Sequence, residues 1–72
     1  MLKFKFKFEC IALKDIPDMG IRCAEKYSGK GHIDNTGVVN YTIRVNVIDR
    51  VTCNDDWFYK HFRMVRIGKE TA

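Results

Sequence analysis

The first ten residues alternate apolar and polar side chains with high regularity. The apolar side chains that share one side of an extended chain are Leu2, Phe4, Phe6 and Phe8. A period of two is typical of a strand that has one buried face. The pattern therefore predicts an N-terminal β-strand over residues 1–12, with the phenylalanines in the core.

The other side of this predicted strand carries three lysines, Lys3, Lys5 and Lys7. Lysines protect the edge of a sheet from unwanted pairing, and they also bind phosphate groups. We expect the first role, because three lysines on a short strand neutralise few phosphates. The strand would then be an exposed edge that a partner strand, or a second copy of the chain in a homodimer, could extend.

Glycine, proline and short polar residues predict the turns between further strands. A loop is expected near Pro17, and segment 34–37 (Asp-Asn-Thr-Gly) is typical of a hairpin turn. Residues 28–31 (Ser-Gly-Lys-Gly) are interpreted as another tight turn, and residues 54–56 (Asn-Asp-Asp) as a third. The two adjacent aspartates are therefore expected to form a turn and not an acid–base pair, since neighbours in a turn point apart.

Residues 41–47 alternate again and predict a second strand with one buried face. The side chains expected to point inward are Tyr41, Ile43, Val45 and Val47, with polar residues between them. The chain thus consists of consecutive short strands that are expected to close a small barrel.

Residues 55–65 hold most of the candidate binding groups. If Phe58 and Phe62 are core residues, strand alternation sends Trp57 and Tyr59 outward, beside several cations. Exposed aromatic rings next to cations stack on nucleic-acid bases or fill pockets on a protein partner. The alternative for Trp57 is a core role at an open end of the barrel. The predicted partner-binding residues are Trp57, Tyr59, Lys60, His61, Arg63, Lys3, Lys5 and Lys7.

The size and charge of the chain limit the classes of function. With 72 residues it has room for one domain, and its net charge of +4 is moderate. This charge permits contact with nucleic acid or an acidic protein surface, and it argues against an acidic mimic of DNA. The longest apolar run is too short to cross a bilayer, so we expect a cytoplasmic protein with no membrane role.

The three cysteines, Cys10, Cys23 and Cys53, are an odd number with no closely spaced pair, and we interpret them as reduced, buried thiols. The alternative is a zinc site formed with His32 or His61, although the ligands are not paired at short spacing. Neither a nucleophile–base pair nor a cofactor-binding loop can be assembled. The expectation is a protein without metal, cofactor or enzymatic activity.

Residues 20–67 resemble the small Src-homology-three-like barrels of the KOW and Tudor type. The segments that carry the resemblance are 27–33 (Tyr-Ser-Gly-Lys-Gly-His-Ile), 41–45 and 57–65. The chain is still more similar to small barrel proteins encoded by bacteriophages and prophages. The resemblance implies a mostly β fold: a five- to six-stranded barrel with at most one short helical turn. The N-terminal strand is outside the usual pattern and is expected as an addition to this barrel, and residues 68–72 are expected to form a flexible tail.

The resemblance also implies a non-enzymatic binding module, because small barrels bind many unrelated partners. Our first expectation is a phage or mobile-element protein that binds a host protein or ribonucleoprotein in the host cytoplasm. Such a protein would modulate its target, as a host-takeover protein or an inhibitor of host defence does. The alternative is a KOW-like protein that binds RNA or DNA.

Overall fold

The structure is a computed structural model, which describes residues 4–69 and the side chains up to Gly68. The N-terminal segment with alternating side chains forms a strand, as predicted. Within residues 4–69 five antiparallel strands form one sheet and one α-helix packs against it, so the predicted mostly β fold class is confirmed. The elements are β1 Phe4–Ala12, a 3₁₀ turn Pro17–Met19, β2 Lys26–Ile33, β3 Val39–Arg44, β4 Arg50–Asn54, α1 Asp55–His61 and β5 Phe62–Lys69.

The N-terminal strand lies inside the sheet and not at its edge. The strand order is β4-β3-β2-β1-β5, and β1 pairs with β2 on one side and with β5 on the other. The prediction that this strand is an exposed edge is therefore wrong, and residues 6–12 offer no free edge for a homodimer or a partner strand. Alternation reports which face of a strand is buried, whereas the pairing of its two sides depends on distant residues.

The ends of the predicted segments also differ from the structure. The last strand, β5, continues to Lys69, so the predicted tail does not begin at residue 68. Residues 70–72, together with Leu2 and Lys3 of the predicted first strand, lie outside the described residues.

The helix α1 is longer than the single turn that the resemblance implies. Its seven residues include Asp55 and Asp56. The prediction that these two aspartates form a turn between strands is wrong, because they belong to the first turn of the helix. The side chain of Asn54 caps this helix by accepting a hydrogen bond of 2.9 Å from the Trp57 amide. Acidic residues at the start of a helix are favourable because they face its positive end.

Aromatic rings from three elements form the centre of the core. The Phe58 ring of α1 stacks on the Tyr41 ring of β3, with centroids 4.2 Å apart and planes 8° from parallel. The Phe8 ring of β1 meets both of them edge-on. This packing attaches the helix to one face of the sheet. Among the described residues, the buried apolar ones are Phe6, Phe8, Cys10, Ala12, Ile21, Tyr41, Ile43, Phe58 and Phe62.

The two glycines of β2 are placed beneath phenylalanine rings of β1. Gly31 lies opposite Phe6 and Gly29 opposite Phe8 in the strand register. A Cβ atom at Gly31 would overlap the Phe6 ring, and one at Gly29 would meet the Phe8 ring and the Thr42 carbonyl oxygen. The interpretation of residues 28–31 as a tight turn is therefore wrong, because these glycines serve close packing within a strand.

The predicted hairpin turn at residues 34–37 joins β2 to β3, and Gly37 has the positive φ of 89° that such turns use. The carboxylate of Asp34 accepts hydrogen bonds from the Thr36 hydroxyl, the Thr36 amide and the Val38 amide. These bonds, chiefly those from Thr36, lower the pKa of Asp34. The turn is thus held in place by its first residue.

Val47 does not point into the core as predicted. The third strand, β3, ends at Arg44, and the Val47 side chain is 90% exposed in the following loop. Asn46 forms this loop, because its side-chain oxygen accepts hydrogen bonds from the amides of Ile48 and Asp49. The inward positions of Tyr41 and Ile43 are confirmed.

Gly31→Ala should destabilise the fold, because the new methyl group overlaps the Phe6 ring. We expect the free energy of unfolding, measured by urea denaturation, to fall by about 1 to 3 kcal/mol, as for other overpacked cores. The control is Gly68→Ala on β5, where a Cβ atom has open space and the change should stay within about 0.5 kcal/mol. Equal losses in the two variants would contradict the ring-over-glycine packing.

Candidate functional site

The predicted partner-binding residues do not lie on one surface. The aromatic residues are on the helix that packs against the core face of the sheet, whereas the N-terminal lysines point to the opposite face, as their alternation with the buried phenylalanines requires. Trp57, Tyr59, Lys60 and His61 belong to α1, Arg63 belongs to β5, Lys5 and Lys7 belong to β1, and Lys3 is outside the described residues.

Trp57 is half-buried and contributes to packing. Its ring stacks on the His61 ring at 4.2 Å, and the Nδ1 atom of His61 lies 2.9 Å from the Trp57 carbonyl oxygen. The Trp57 ring also packs 6.2 Å from Phe62. This arrangement follows from helical spacing, in which residues four apart share a side, and strand alternation could not predict it.

Tyr59 is the most exposed of the predicted aromatic residues, with 51% of its surface accessible. Its ring meets Tyr41 edge-on at 6.1 Å. The Tyr41 hydroxyl donates a hydrogen bond of 2.5 Å to Asp55. Burial, followed by the hydrogen bonds with Asp55 and Tyr59, raises the pKa of Tyr41, so this hydroxyl stays protonated. Tyr59 therefore supports a polar contact at the edge of the core.

The outer face of the sheet carries the strongest concentration of charge. Among the described residues, alternation and strand register bring eight Lys and Arg side chains to this face, all of them exposed. One carboxylate, Glu9, shares the face within the described strands. We call this surface the basic face; its cations are Lys5, Lys7, Lys26, Lys30, Arg44, Arg50, Arg63 and Arg66.

Two pairs of like charges lie directly opposite each other on the basic face. Lys7 faces Lys30 across β1 and β2, and Arg44 faces Arg50 across β3 and β4. Like charges in opposite positions of an antiparallel pair are destabilising. A bound anion would remove the repulsion between Arg44 and Arg50, which makes this pair the best indication of a binding surface.

A bulge in β5 brings a further arginine to the same surface. Glu9 pairs with Arg66 and Cys10 pairs with Met64, so Val65 is an extra residue on the β5 side. Arg63 and Arg66 are three residues apart and would point to opposite faces of a regular strand. The extra residue restores both to the outer face, as β-bulges commonly do when they re-aim side chains.

The basic face surrounds an open groove of about 780 Å³. Its polar surface includes the hydroxyls of Ser28 and Thr42, and Thr42 lies 3.2 Å from the Thr52 hydroxyl. Phe8 is the only aromatic residue in the groove lining of the described chain, and its buried ring belongs to the core cluster. The groove therefore offers cations and hydroxyls without a ring on which a base could stack. Its charged residues are Lys7, Glu9, Lys30, Arg44, Arg50 and Arg66.

The thiols of Cys10 and Cys53 are not reactive nucleophiles. Burial, followed by the nearby Cys53, raises the pKa of the Cys10 thiol to about 12, and burial raises the pKa of Cys53 to about 11. Both thiols are therefore protonated at neutral pH and poor nucleophiles. Cys23 is exposed, contrary to the prediction, and its Sγ lies 3.4 Å from the Leu13 carbonyl oxygen in the β1–β2 loop.

Residues 4–69 were also searched for a metal site and for a membrane-spanning helix. Within this range no group of three or more His, Cys, Asp or Glu side chains is arranged to hold a metal ion, and the three cysteines do not meet at His32 or His61. In the same range, no helix has the length and apolar character needed to span a bilayer.

Comparison with family models, with characterised proteins and with solved structures finds no significant match to this chain. The functional conclusion therefore rests on the geometry and charge of its surfaces. Lys5, Lys7 and Arg63, which the sequence pattern predicts as binding residues, lie on the basic face, but the pattern does not predict the opposed arginines of β3 and β4. Alternation indicates that Arg44 points outward, and only the strand register reveals that Arg50 lies opposite it.

Trp57→Ala should destabilise the protein more than Tyr59→Ala does. The Trp57 ring packs against Phe62 and His61, so we expect its removal to lower the free energy of unfolding by about 2 kcal/mol, less than for a fully buried aromatic residue. Tyr59→Ala removes a more exposed ring and should cost about 1 kcal/mol or less. Urea denaturation of both variants measures the difference, and an unchanged midpoint for Trp57→Ala would contradict its packing role.

Proposed function

We propose that the protein is a non-enzymatic binding module that binds nucleic acid through the basic face. The observation that carries this proposal is the concentration of exposed cations on this face, where Arg44 lies directly opposite Arg50 across β3 and β4. Like charges in opposite positions reduce the stability of an antiparallel pair, and a phosphate group between Arg44 and Arg50 would offset that loss.

The extent of the basic face favours a polyanion over a small anion. Alternate residues along a strand are about 7 Å apart and neighbouring strands about 4.8 Å apart, so cations on all five strands cover a wide surface. A small anion contacts one pair of cations, whereas a nucleic acid offers a phosphate to each. A nucleic acid, with its repeated phosphates, can therefore contact cations across the whole basic face. The affinity of the protein for such a ligand should depend strongly on the salt concentration.

The chemistry of the groove favours contacts with the phosphate backbone. Arginine, lysine and hydroxyl side chains such as Thr42 are common phosphate ligands. Contacts of this kind position a protein on nucleic acid without reading the base sequence. The sequence analysis gave nucleic-acid binding as its alternative function, and this proposal adopts it. Trp57 and Lys60, which were predicted as binding residues, lie on the helix and outside the proposed site. The free thiols of Cys10, Cys23 and Cys53 agree with an intracellular setting.

The double variant Arg44→Ala/Arg50→Ala tests the proposal. Fluorescence anisotropy with a mixed-sequence oligonucleotide should show an affinity at low salt that is at least tenfold weaker than that of the parent. The slope of log affinity against log salt should decrease by about 1 to 2, since each phosphate that the variant no longer neutralises lowers it by about 1. The matched control is Arg22→Ala/Lys60→Ala, which removes the same charge from the loop and the helix and should change both values much less.

The stability of the same double variant separates binding from folding. Relief of the repulsion between Arg44 and Arg50 should leave the free energy of unfolding equal to that of the parent or higher by about 0.2 to 1 kcal/mol. Weaker binding together with marked unfolding would indicate a structural role for the arginines. Equally weakened binding in the control variant would show that net charge alone attracts the oligonucleotide, and would contradict a site on the basic face.

A second candidate function is protein binding, which was the first expectation from the sequence. The partner would add a strand at β5 and not at β1 as the sequence predicted. Within the described sheet β5 pairs on one side only, and Val65 and Ile67 are exposed along it. An acidic extended segment could add to this strand beside Arg66. The test is a pull-down of host proteins with nuclease treatment, using the parent and the Ile67→Lys variant. A host protein that binds the parent but not the variant would support this candidate. A host protein that binds both equally would contradict it.

A further inference from the structure

Arg44 and Arg50 lie opposite each other at the point where β3 and β4 meet their connecting loop. In the next register position, the Val45 amide donates a hydrogen bond of 3.0 Å to the Asp49 carbonyl oxygen. Hydrogen-bonded and non-hydrogen-bonded positions alternate in an antiparallel pair, so the two arginines occupy a non-hydrogen-bonded position. Side chains approach most closely there, with Cβ atoms about 4.5 to 5.5 Å apart. Both guanidinium groups can therefore reach one bound anion.

The two guanidinium groups have no anionic partner in the part of the chain that the structure describes. Arg44 and Arg50 are exposed, and within residues 4–69 neither forms an ion pair or a side-chain hydrogen bond. Asp49 adjoins Arg50 in the chain, but its carboxylate accepts a hydrogen bond of 2.9 Å from the Asn46 side chain in the loop. Two uncompensated positive charges thus face each other.

Two hydroxyl groups lie beside these arginines on the same face of the sheet. Thr42 and Thr52 occupy the next outward-facing register position, about 7 Å along the strands from the arginines. Their Oγ1 atoms are 3.2 Å apart, and one hydroxyl donates a hydrogen bond to the other. The hydroxyl that accepts this bond keeps its own proton to donate to a ligand. We call Arg44, Arg50, Thr42 and Thr52 the arginine–threonine cluster.

The arginine–threonine cluster lies at one border of the basic face. Within the described sheet β4 pairs with β3 alone, so Arg50 is the outermost cation of the groove on this side. The other strands also contribute cations to the groove, which are Arg66 on β5, Lys7 on β1 and Lys30 on β2. A nucleic acid that follows the groove from β5 to β4 passes these cations in turn and meets the paired arginines at the border.

We infer that the arginine–threonine cluster binds the terminal phosphate of the nucleic acid, a phosphate monoester, while internal phosphates contact the other groove cations. This inference rests on the proposed function and names the group of the ligand that the protein recognises. A phosphate monoester carries a charge of about −1.5 to −2 at pH 7, whereas each internal phosphate carries a single negative charge. The two uncompensated charges of Arg44 and Arg50 therefore balance a terminal phosphate better than an internal one.

The shape of the arginine side chain also favours a phosphate with several free oxygens. A guanidinium group donates to two phosphate oxygens at once, whereas a lysine ammonium acts as a point charge. Arg44 and Arg50 together can bind all three free oxygens of a monoester, and a threonine hydroxyl of the cluster supplies a further donor. Lys7, as a point charge, suits the internal phosphates, which have fewer free oxygens because they are bonded to two sugars.

The test uses one mixed-sequence oligonucleotide with different ends, labelled at the opposite end. The probes end in a hydroxyl, a 5′ phosphate, a 3′ phosphate, or a 5′ phosphate blocked as its methyl ester. A longer probe with hydroxyl ends and one additional internal phosphate controls for the added charge. Anisotropy at low salt should give an affinity for one of the two terminal phosphates at least tenfold above that for the hydroxyl-ended probe. The methyl ester, which lacks the second charge, and the longer probe should gain about threefold or less.

The double variant Arg44→Ala/Arg50→Ala should abolish the preference for the terminal phosphate. The matched control is Lys5→Ala/Arg66→Ala, which removes the same charge from other positions of the basic face. This control should weaken the binding of every probe and keep the preference for the terminal phosphate. Arg50→Lys retains the charge but should lower the preference severalfold, because an ammonium group lacks the planar fork of donors. A preference that survives Arg44→Ala/Arg50→Ala would overturn the assigned subsite.

The outcomes separate this inference from the proposed function. Equal affinities for the phosphate-ended and hydroxyl-ended probes would overturn the terminal-phosphate inference, while binding through the basic face still stands. Absence of binding to every probe at low salt would overturn the proposed function itself. A phosphopeptide that displaces the phosphate-ended probe at the same concentration as the unlabelled oligonucleotide would overturn the assignment of the bound phosphate to a nucleic acid.

Discussion

The packing of two phenylalanine rings over two glycines sets the register on which the rest of the structure depends. Phe6 covers Gly31 and Phe8 covers Gly29, so in this alignment of β1 and β2 each ring occupies space that a Cβ atom would otherwise take. A slip of one residue would move every side chain of the strand to the opposite face. The same packing therefore buries the rings and brings Lys7 opposite Lys30 on the basic face.

The core and the basic face are opposite sides of one sheet, and their energetic roles differ. Stacking of Phe58 on Tyr41 attaches the helix to the inner face and excludes water from it. The outer face has no covering layer within the described residues, and it retains like charges in opposite positions. A surface of this kind is expected where ligand binding matters more than the stability of the free protein.

Much of the fold was predictable because strands and turns have local sequence patterns. The alternation of Phe6 and Phe8 with lysines, the hairpin at residues 34–37 and the inward positions of Tyr41 and Ile43 depend on near neighbours in the chain. The candidate site was harder to predict, because the aromatic cluster at Trp57 has a helical spacing and the charges that meet in the groove come from separate strands.

The sequence by itself determined which side of each strand is apolar, and with it the mostly β class and the positive charge of the outer positions. Only the tertiary structure decided that β1 is central, that Arg44 lies opposite Arg50 and that a bulge turns Arg66 outward. The physical reason is that alternation is a property of one strand. Pairing between strands instead depends on contacts between distant residues, such as the fit of the Phe6 ring over Gly31.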